Sequence, residues 1–310
     1  MRVIFLGTPE FGVKILESIN NSRHEVAAVV TQPDRVNARG NKIIFSPVKD
    51  AAAKLGIPVL QYENISREGE EKLKSLNADI MVTAAYGQIL KQNILDVCPK
   101  GIINVHASLL PKYRGSSPVQ WTLINGEKVT GVTIMQTALG VDTGDIILQR
   151  EIALDGNENA LETLDKLSAL GASAIVEALD LIEDGKAVYT PQDERKATRC
   201  RMLKKEDGKI DWTKSALEIK NFVRGMTPWP GAYTSSKFGM LKVIRAEIGD
   251  VTASRKAGEI LIAEPKKGLI ISCGEGSLSL LDVQGENARA MDAKSYLLGK
   301  HLTAGEILGE

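Results

Sequence analysis

Residues 101–145 read GIINVHASLLPKYRGSSPVQWTLINGEKVTGVTIMQTALGVDTGD. The stretch opens on an apolar run, Ile102 and Ile103, whose downstream end carries Asn104 and His106. Successive strand residues point to opposite faces, so Asn104 and His106, two apart, project together from one face. Pro111 has no N–H to donate to a ladder, and the chain must therefore leave the sheet at Ser108, Leu109, Leu110 and Pro111. Ser117 as N-cap, Pro118 at the first helical position and Gly126 past the end predict a short helix over 118–125. Residues 131–135 (GVTIM) are β-rich and predict a return to the sheet. Residues 139–145 (LGVDTGD) then form a glycine-bracketed turn, which can bring the carboxylate of Asp142 or Asp145 back to the Asn104/His106 pair.

Upstream, continuous apolar runs at 3–6, 26–30, 58–60 and 80–85 predict strands buried on both faces, separated by helices over 11–19, from Ser46-Pro47 to Gly56, and over 67–76. Downstream, 146–152 reads as a last strand and 161–182 as a long amphipathic helix. This alternation argues for an α/β fold with a doubly wound, mostly parallel, Rossmann-like sheet. Gly7 and Gly12 follow the first strand, but their spacing is neither that of a dinucleotide fingerprint nor that of a P-loop. Past residue 205 the pattern changes to short strands between glycines, at 231–234, 241–248, 259–263, 269–272 and 277–283, preceded by a helix over 215–224; this is a small antiparallel barrel or sandwich. The chain therefore divides into 1–193, a basic linker 194–205, and a second domain 206–310. Trp212 and Trp229, with apolar neighbours, read as core anchors.

Thirty-nine basic residues balance 39 acidic ones, so bulk charge does not announce a nucleic-acid partner and any basic site must be local. Two stretches qualify. Residues 33–42 place Arg35, Arg39 and Lys42 among Gly and Asn with no apolar period, which predicts a mobile loop. Residues 194–205 hold Arg195, Lys196, Arg199, Arg201, Lys204 and Lys205 against Glu194 alone. Composition by itself reads both as solvated surface, and the second is also the strongest candidate in the chain for phosphate contact. The three cysteines, Cys98, Cys200 and Cys273, are scattered, with no metal-ligand spacing, which implies no metal and a reducing, cytoplasmic setting. No apolar stretch approaches the roughly 20 residues a membrane span needs.

A single histidine at a strand end also serves as an ordinary structural hydrogen-bonder, and DTGD can be a simple Asx turn. His106 stands out among three histidines because a polar partner shares its face where the strand breaks. Ligands bind at such strand ends in parallel sheets. The motif N-x-H-x-S-L-L-P-x-Y-R-G, followed by the Asp of D-T-G-D, resembles the core of the folate-dependent formyltransferases. The TQPDR opening of the basic loop, Ile210-Asp211-Trp212 and Pro228-Trp229-Pro230-Gly231 resemble the methionyl-tRNA branch of that family. The resemblance implies an OB-like β-barrel as the second domain. It also implies transfer of a formyl group from 10-formyltetrahydrofolate to methionine on the initiator methionyl-tRNA, by a monomer. On it, Asn104, His106 and Asp142 are catalytic. Ser108, Leu109, Leu110, Pro111, Ile89 and Leu90 lie at the tetrahydrofolate site, although Ile89 and Leu90 read by themselves as core packing. Arg39 approaches the acceptor end of the tRNA, and Lys42, Arg199, Arg201, Lys204 and Lys205 are the further candidates for tRNA contact.

The residue types suit that chemistry. An amine attacking a formyl carbon creates an oxyanion, to which Asn104 and His106 can donate N–H groups; losing one such donor costs roughly 3 kcal/mol. Asp142 suits proton handling. Ser116 and Ser117 lack a nucleophile elbow, which argues against hydrolysis. Two other functions stay open: formylation of a nucleotide-linked amino-sugar, and a catalytically silent RNA-binding protein.

Overall fold

The computed structural model describes residues 1–36, 43–251 and 255–309. Two compact units make up the chain: Met1–Pro118, Val129–Ile152 and Leu164–Cys200 form one; Val119–Lys128, Ala153–Thr163 and Arg201–Glu310 form the other. The chain passes between the units five times, so residues 119–128 and 153–163 group with the second unit, and only the last crossing, between Cys200 and Arg201, falls inside the basic stretch 194–205.

In chain order the first elements are β1 (Arg2–Gly7), α1 (Phe11–Asn20), β2 (Glu25–Thr31), a short hairpin of β3 (Arg35–Val36) and β4 (Ile43–Ile44), α2 (Pro47–Lys54) and β5 (Val59–Gln61). Then come α3 (Ile65–Glu68), α4 (Glu70–Lys74), β6 (Ile80–Ala84), α5 (Gln92–Leu95), β7 (Ile102–His106), β8 (Arg114–Gly115) and α6 (Pro118–Ile124). Next are β9 (Val129–Gln136), β10 (Ile146–Ala153), α7 (Ala160–Glu183) and β11 (Arg199–Cys200). The helix expected over 67–76 is instead two short helices meeting at Gly69, where a Cβ would press on Ile65. Ser46 caps α2 as its sequence predicts, accepting from the Lys49 N–H at 3.1 Å.

Seven strands form the first unit's sheet in the order β10-β9-β7-β6-β1-β2-β5. The pairs β5/β2, β2/β1, β1/β6 and β6/β7 are parallel, and β9 runs antiparallel to β7. Continuous apolar runs follow from burial on both faces: Val3 to Leu6 of β1 are fully buried. On β7, Val105 points away from Asn104 and His106 and meets α7 at Gly171, where a Cβ would sit 3.0 Å from Val105 Cγ1. One face of β7 is thereby closed by helix, and its polar pair opens on the other.

The second unit adds α8 (Ala216–Met226), β12 (Ala232–Ser236), β13 (Gly239–Ile248), β14 (Ile260–Glu264), β15 (Gly268–Ser272), β16 (Ser277–Gly285), β17 (Met291–Asp292) and α9 (Ala293–Gly299). Its sheet runs β12-β13-β16-β15-β14, all antiparallel, with β17 paired to β16. Trp212 belongs to its core, buried with its indole N–H donating to Thr234 Oγ1 at 3.0 Å. Trp229 is not a core anchor: it is 50% exposed. Met226, the last residue of α8, belongs to the core, and the turn that follows it carries the Trp229 indole at the surface. No helix among the described residues is long and apolar enough to cross a membrane.

Candidate active site

The end of β7 places Asn104 and His106 on one face, as their spacing requires. The hydroxyl of Thr83, on the neighbouring β6, donates to Asn104 Oδ1 at 2.7 Å. An amide whose oxygen is engaged presents its NH2 elsewhere, so Asn104 is oriented as a donor. His106 is buried, and its Nε2 lies 3.0 Å from the Tyr113 carbonyl. A carbonyl only accepts, so the proton sits on Nε2, and Nδ1 is the ring nitrogen left for other work.

Asp142 faces that nitrogen, with Oδ2 at 3.6 Å from Nδ1. The same oxygen accepts from the Gly115 N–H at 2.8 Å. Gly115 has φ +124 and a Cβ there would strike the Cys200 carbonyl, so the close approach of β8 to β11 demands glycine. Asp142 itself is left-handed, at φ +52. The loop's Gly144 is equally constrained, because a Cβ would run into the Gln136 carbonyl.

Ser108 to Pro111 leave the sheet as a pinned loop. Thr133 Oγ1 donates to the Ser108 carbonyl at 2.7 Å and accepts from the Leu110 N–H at 3.1 Å, while Gln149 Nε2 donates to the Leu110 carbonyl at 2.9 Å. Ser108 and Leu110 are buried, whereas Leu109 and Pro111 are half-buried. After β6, Leu90 joins an apolar core cluster, but Ile89 is 81% exposed and is not core. A cleft of about 1120 Å³ lies beside the start of β7, lined by Leu95, Ile102, residues 136–139 and 143–145, and Tyr189 among others. Thr137 Oγ1, on that lining, is buried without a hydrogen-bond partner. The loop carrying Asp142 thus walls the cleft on one side and reaches His106 on the other. Neither 108–111 nor Ile89 and Leu90 line the cleft.

Of the candidate basic residues, Arg39 and Lys42 lie outside the described residues. Arg199, Lys204 and Lys205 are exposed. Arg201 is bound at both nitrogens by Asp207, at 2.6 and 2.7 Å, and this pairing depresses the Asp207 carboxyl to about 2. Arg195 pairs with Asp193. Two of the six basic residues of the stretch 194–205, Arg195 and Arg201, are therefore already compensated. Among the described residues His24, Asp180 and Glu183 cluster within ligand reach of one another, but Arg23 already pairs with both carboxylates.

The formyl transferase family matches residues 1–179, and its C-terminal domain matches residues 202–301. The chain belongs to the formyl transferase family. Full-length relatives include the methionyl-tRNA formyltransferases of Caldanaerobacter subterraneus, 44% identical with 99% of this chain and 100% of that one aligned, and of Solibacter usitatus, 47% identical with 100% and 99% aligned. Among solved structures, an N-formyltransferase from Helicobacter canadensis, complexed with folinic acid and dTDP-3-aminofucose, shares the fold at TM-score 0.69 and 20% identity, over 90% of this chain and 98% of that one.

Four residues that motif spacing did not supply make hydrogen bonds in this region: Thr83 with Asn104, Tyr113 with His106, and Gln192, whose Nε2 donates to the Asp142 carbonyl and whose Oε1 accepts from Arg114. Tyr113 and Arg114 lie inside the K-Y-R-G motif and were within reach of a sequence argument. Gln192 is 50 residues from Asp142 and has no local signature.

Proposed function

We propose that the chain transfers the formyl group of 10-formyltetrahydrofolate to the amino group of methionine on initiator methionyl-tRNA, acting as a monomer in the cytoplasm. The convergence of Asn104, His106 and Asp142 at the end of β7 carries the chemistry, and full-length identity of 44 and 47% to methionyl-tRNA formyltransferases supports the acceptor.

Asn104 donates an amide N–H to the oxyanion that forms when the amine attacks the formyl carbon, its orientation set in advance by Thr83. His106 has spent Nε2–H on Tyr113, so it can donate to that oxyanion only through Nδ1–H, as the imidazolium. The Asp142 carboxylate faces Nδ1 with the complementary charge. Asp142 also takes the proton released by the attacking amine and returns it, directly or through water, to the departing folate nitrogen. No covalent enzyme intermediate is needed. The folate ring system lies at the downstream end of β7, beside the loop 108–111 and Ile89, where its formyl carbon can reach Asn104 and His106; the cleft at the start of β7 is lined by none of these residues. Leu109, Pro111 and Ile89 are the exposed or half-exposed members of the folate set. Exposed Arg199, Lys204 and Lys205, together with Arg39 and Lys42, meet tRNA phosphates.

The test is a formyl-transfer assay with 10-formyltetrahydrofolate, offering methionyl-tRNA beside a dTDP-linked amino-sugar. Transfer to the tRNA is expected. Transfer to the sugar alone would overturn the acceptor, and transfer to neither would overturn the chemistry.

A further inference from the structure

The carboxylate of Asp142 acts only if its loop is held against β8 and His106, and the loop's own conformation does not guarantee that. Asp142 occupies a left-handed backbone conformation, which side-chain-bearing residues adopt at a cost and keep only where surrounding contacts enforce it. The enforcing contact comes from Gln192. Its Nε2 donates to the carbonyl of Asp142 itself at 2.9 Å and to the Gly144 carbonyl at 2.7 Å, pinning the loop at and just after the left-handed residue.

A glutamine amide can turn over, exchanging oxygen for nitrogen with little change of shape. Here it is set one way round. Arg114 Nε, a group that can only donate, bonds Gln192 Oε1 at 2.9 Å. Arg114 is itself 4% exposed and fixed by a two-pronged pair with Glu194, at 3.0 and 2.8 Å. The order Glu194, Arg114, Gln192, Asp142 is thus a directional chain: Glu194 accepts from and fixes Arg114, which donates to and orients Gln192, which donates to the Asp142 loop. It begins at the one acidic residue of the basic stretch 194–205 and ends at the loop bearing the carboxylate.

We propose that Gln192 is a positioning residue for formyl transfer, its amide oriented by the Arg114–Glu194 pair so that it clamps the Asp142 loop in the reactive geometry. The proposal rests on the formyl-transfer reading above, and the experiment separates the two. Gln192→Glu keeps the size and the acceptor for Arg114, and adds an ion pair, but removes both donors and turns a carboxylate toward two carbonyls. If Gln192 merely anchored Arg114, this variant would be as active as the parent. Gln192→Met removes the polar atoms without adding charge.

Steady-state formyl transfer to methionyl-tRNA is measured for the full chain and both variants, with thermal midpoints recorded beside it. The expected result is a kcat lower by about tenfold or more in both, with KM for the formyl donor raised by no more than about threefold. Glu194→Ala should give a smaller loss of kcat, most of it recovered in Glu194→Gln, which retains an acceptor for Arg114. Parental kcat in Gln192→Glu, or a loss carried wholly by KM, overturns the proposal; if that variant does not fold, Gln192→Met decides by the same criteria. A parent that transfers no formyl group would instead defeat the underlying function.

Discussion

The Tyr113 carbonyl accepts from two neighbours, His106 Nε2 at 3.0 Å and the Cys200 thiol at 3.3 Å, so one backbone oxygen fixes which nitrogen of the imidazole meets Asp142. Asn104→Ala, His106→Ala and Asp142→Asn should each lower kcat by about 100-fold or more with much smaller changes in folate affinity, because their interactions strengthen mainly in the transition state. Near-normal turnover in Asp142→Asn would remove it from proton handling. Thr83→Val leaves the Asn104 amide free to turn over, and a kcat loss of about tenfold at unchanged folate affinity is expected from single-turnover assays. Burial also raises the Cys98 thiol to about 11 and the Cys273 thiol to about 12. An unfolded thiol ionises near 8.5, so above that pH the unfolded chain binds fewer protons than the folded one and stability falls as pH rises, through about pH 11 for Cys98. Urea midpoints at pH 8 and 10.5 should converge in the double variant Cys98→Ala, Cys273→Ala; an identical pH dependence with and without the thiols would contradict this.

Among the elements, β8 is only two residues long, yet three parts of the site depend on it. Its Arg114 orients Gln192, its Gly115 N–H holds Asp142 Oδ2, and its backbone pairs in parallel with Arg199 and Cys200 of β11. Gly115→Ala would introduce a Cβ at a positive φ against the Cys200 carbonyl, so β8 and β11 must separate. We expect a thermal midpoint lower by several degrees and a kcat loss at temperatures where the variant is still folded. Intact kcat in folded Gly115→Ala would show that the β8–β11 pairing does not support Asp142.

For the whole molecule, a formal charge of zero leaves tRNA affinity to individual uncompensated cations. Replacing Lys204 and Lys205 by alanine should flatten the slope of log affinity against log salt by somewhat under ~1 for each lost phosphate contact. Arg201→Ala should alter that slope less than either lysine, because its guanidinium is held by Asp207. A salt titration of methionyl-tRNA binding decides; an unchanged slope in the lysine variants would place the tRNA contact elsewhere.

Buried strands alternating with capped helices, the Asn104/His106 face and the Asp142 turn were all legible in the sequence. Each is a local property: strand period, proline and glycine conformational limits and capping act within a few residues. What the tertiary structure alone decided depends on partners remote in the chain. The His106 proton is assigned by a backbone carbonyl, the Arg201 charge is claimed by Asp207, and Trp229 stays at the surface although its neighbours in sequence are apolar. Gln192 became visible as part of the site only when folding brought it to Asp142 and Gly144, because an amide's partners are set by which groups packing places around it, and no spacing pattern in the chain encodes them.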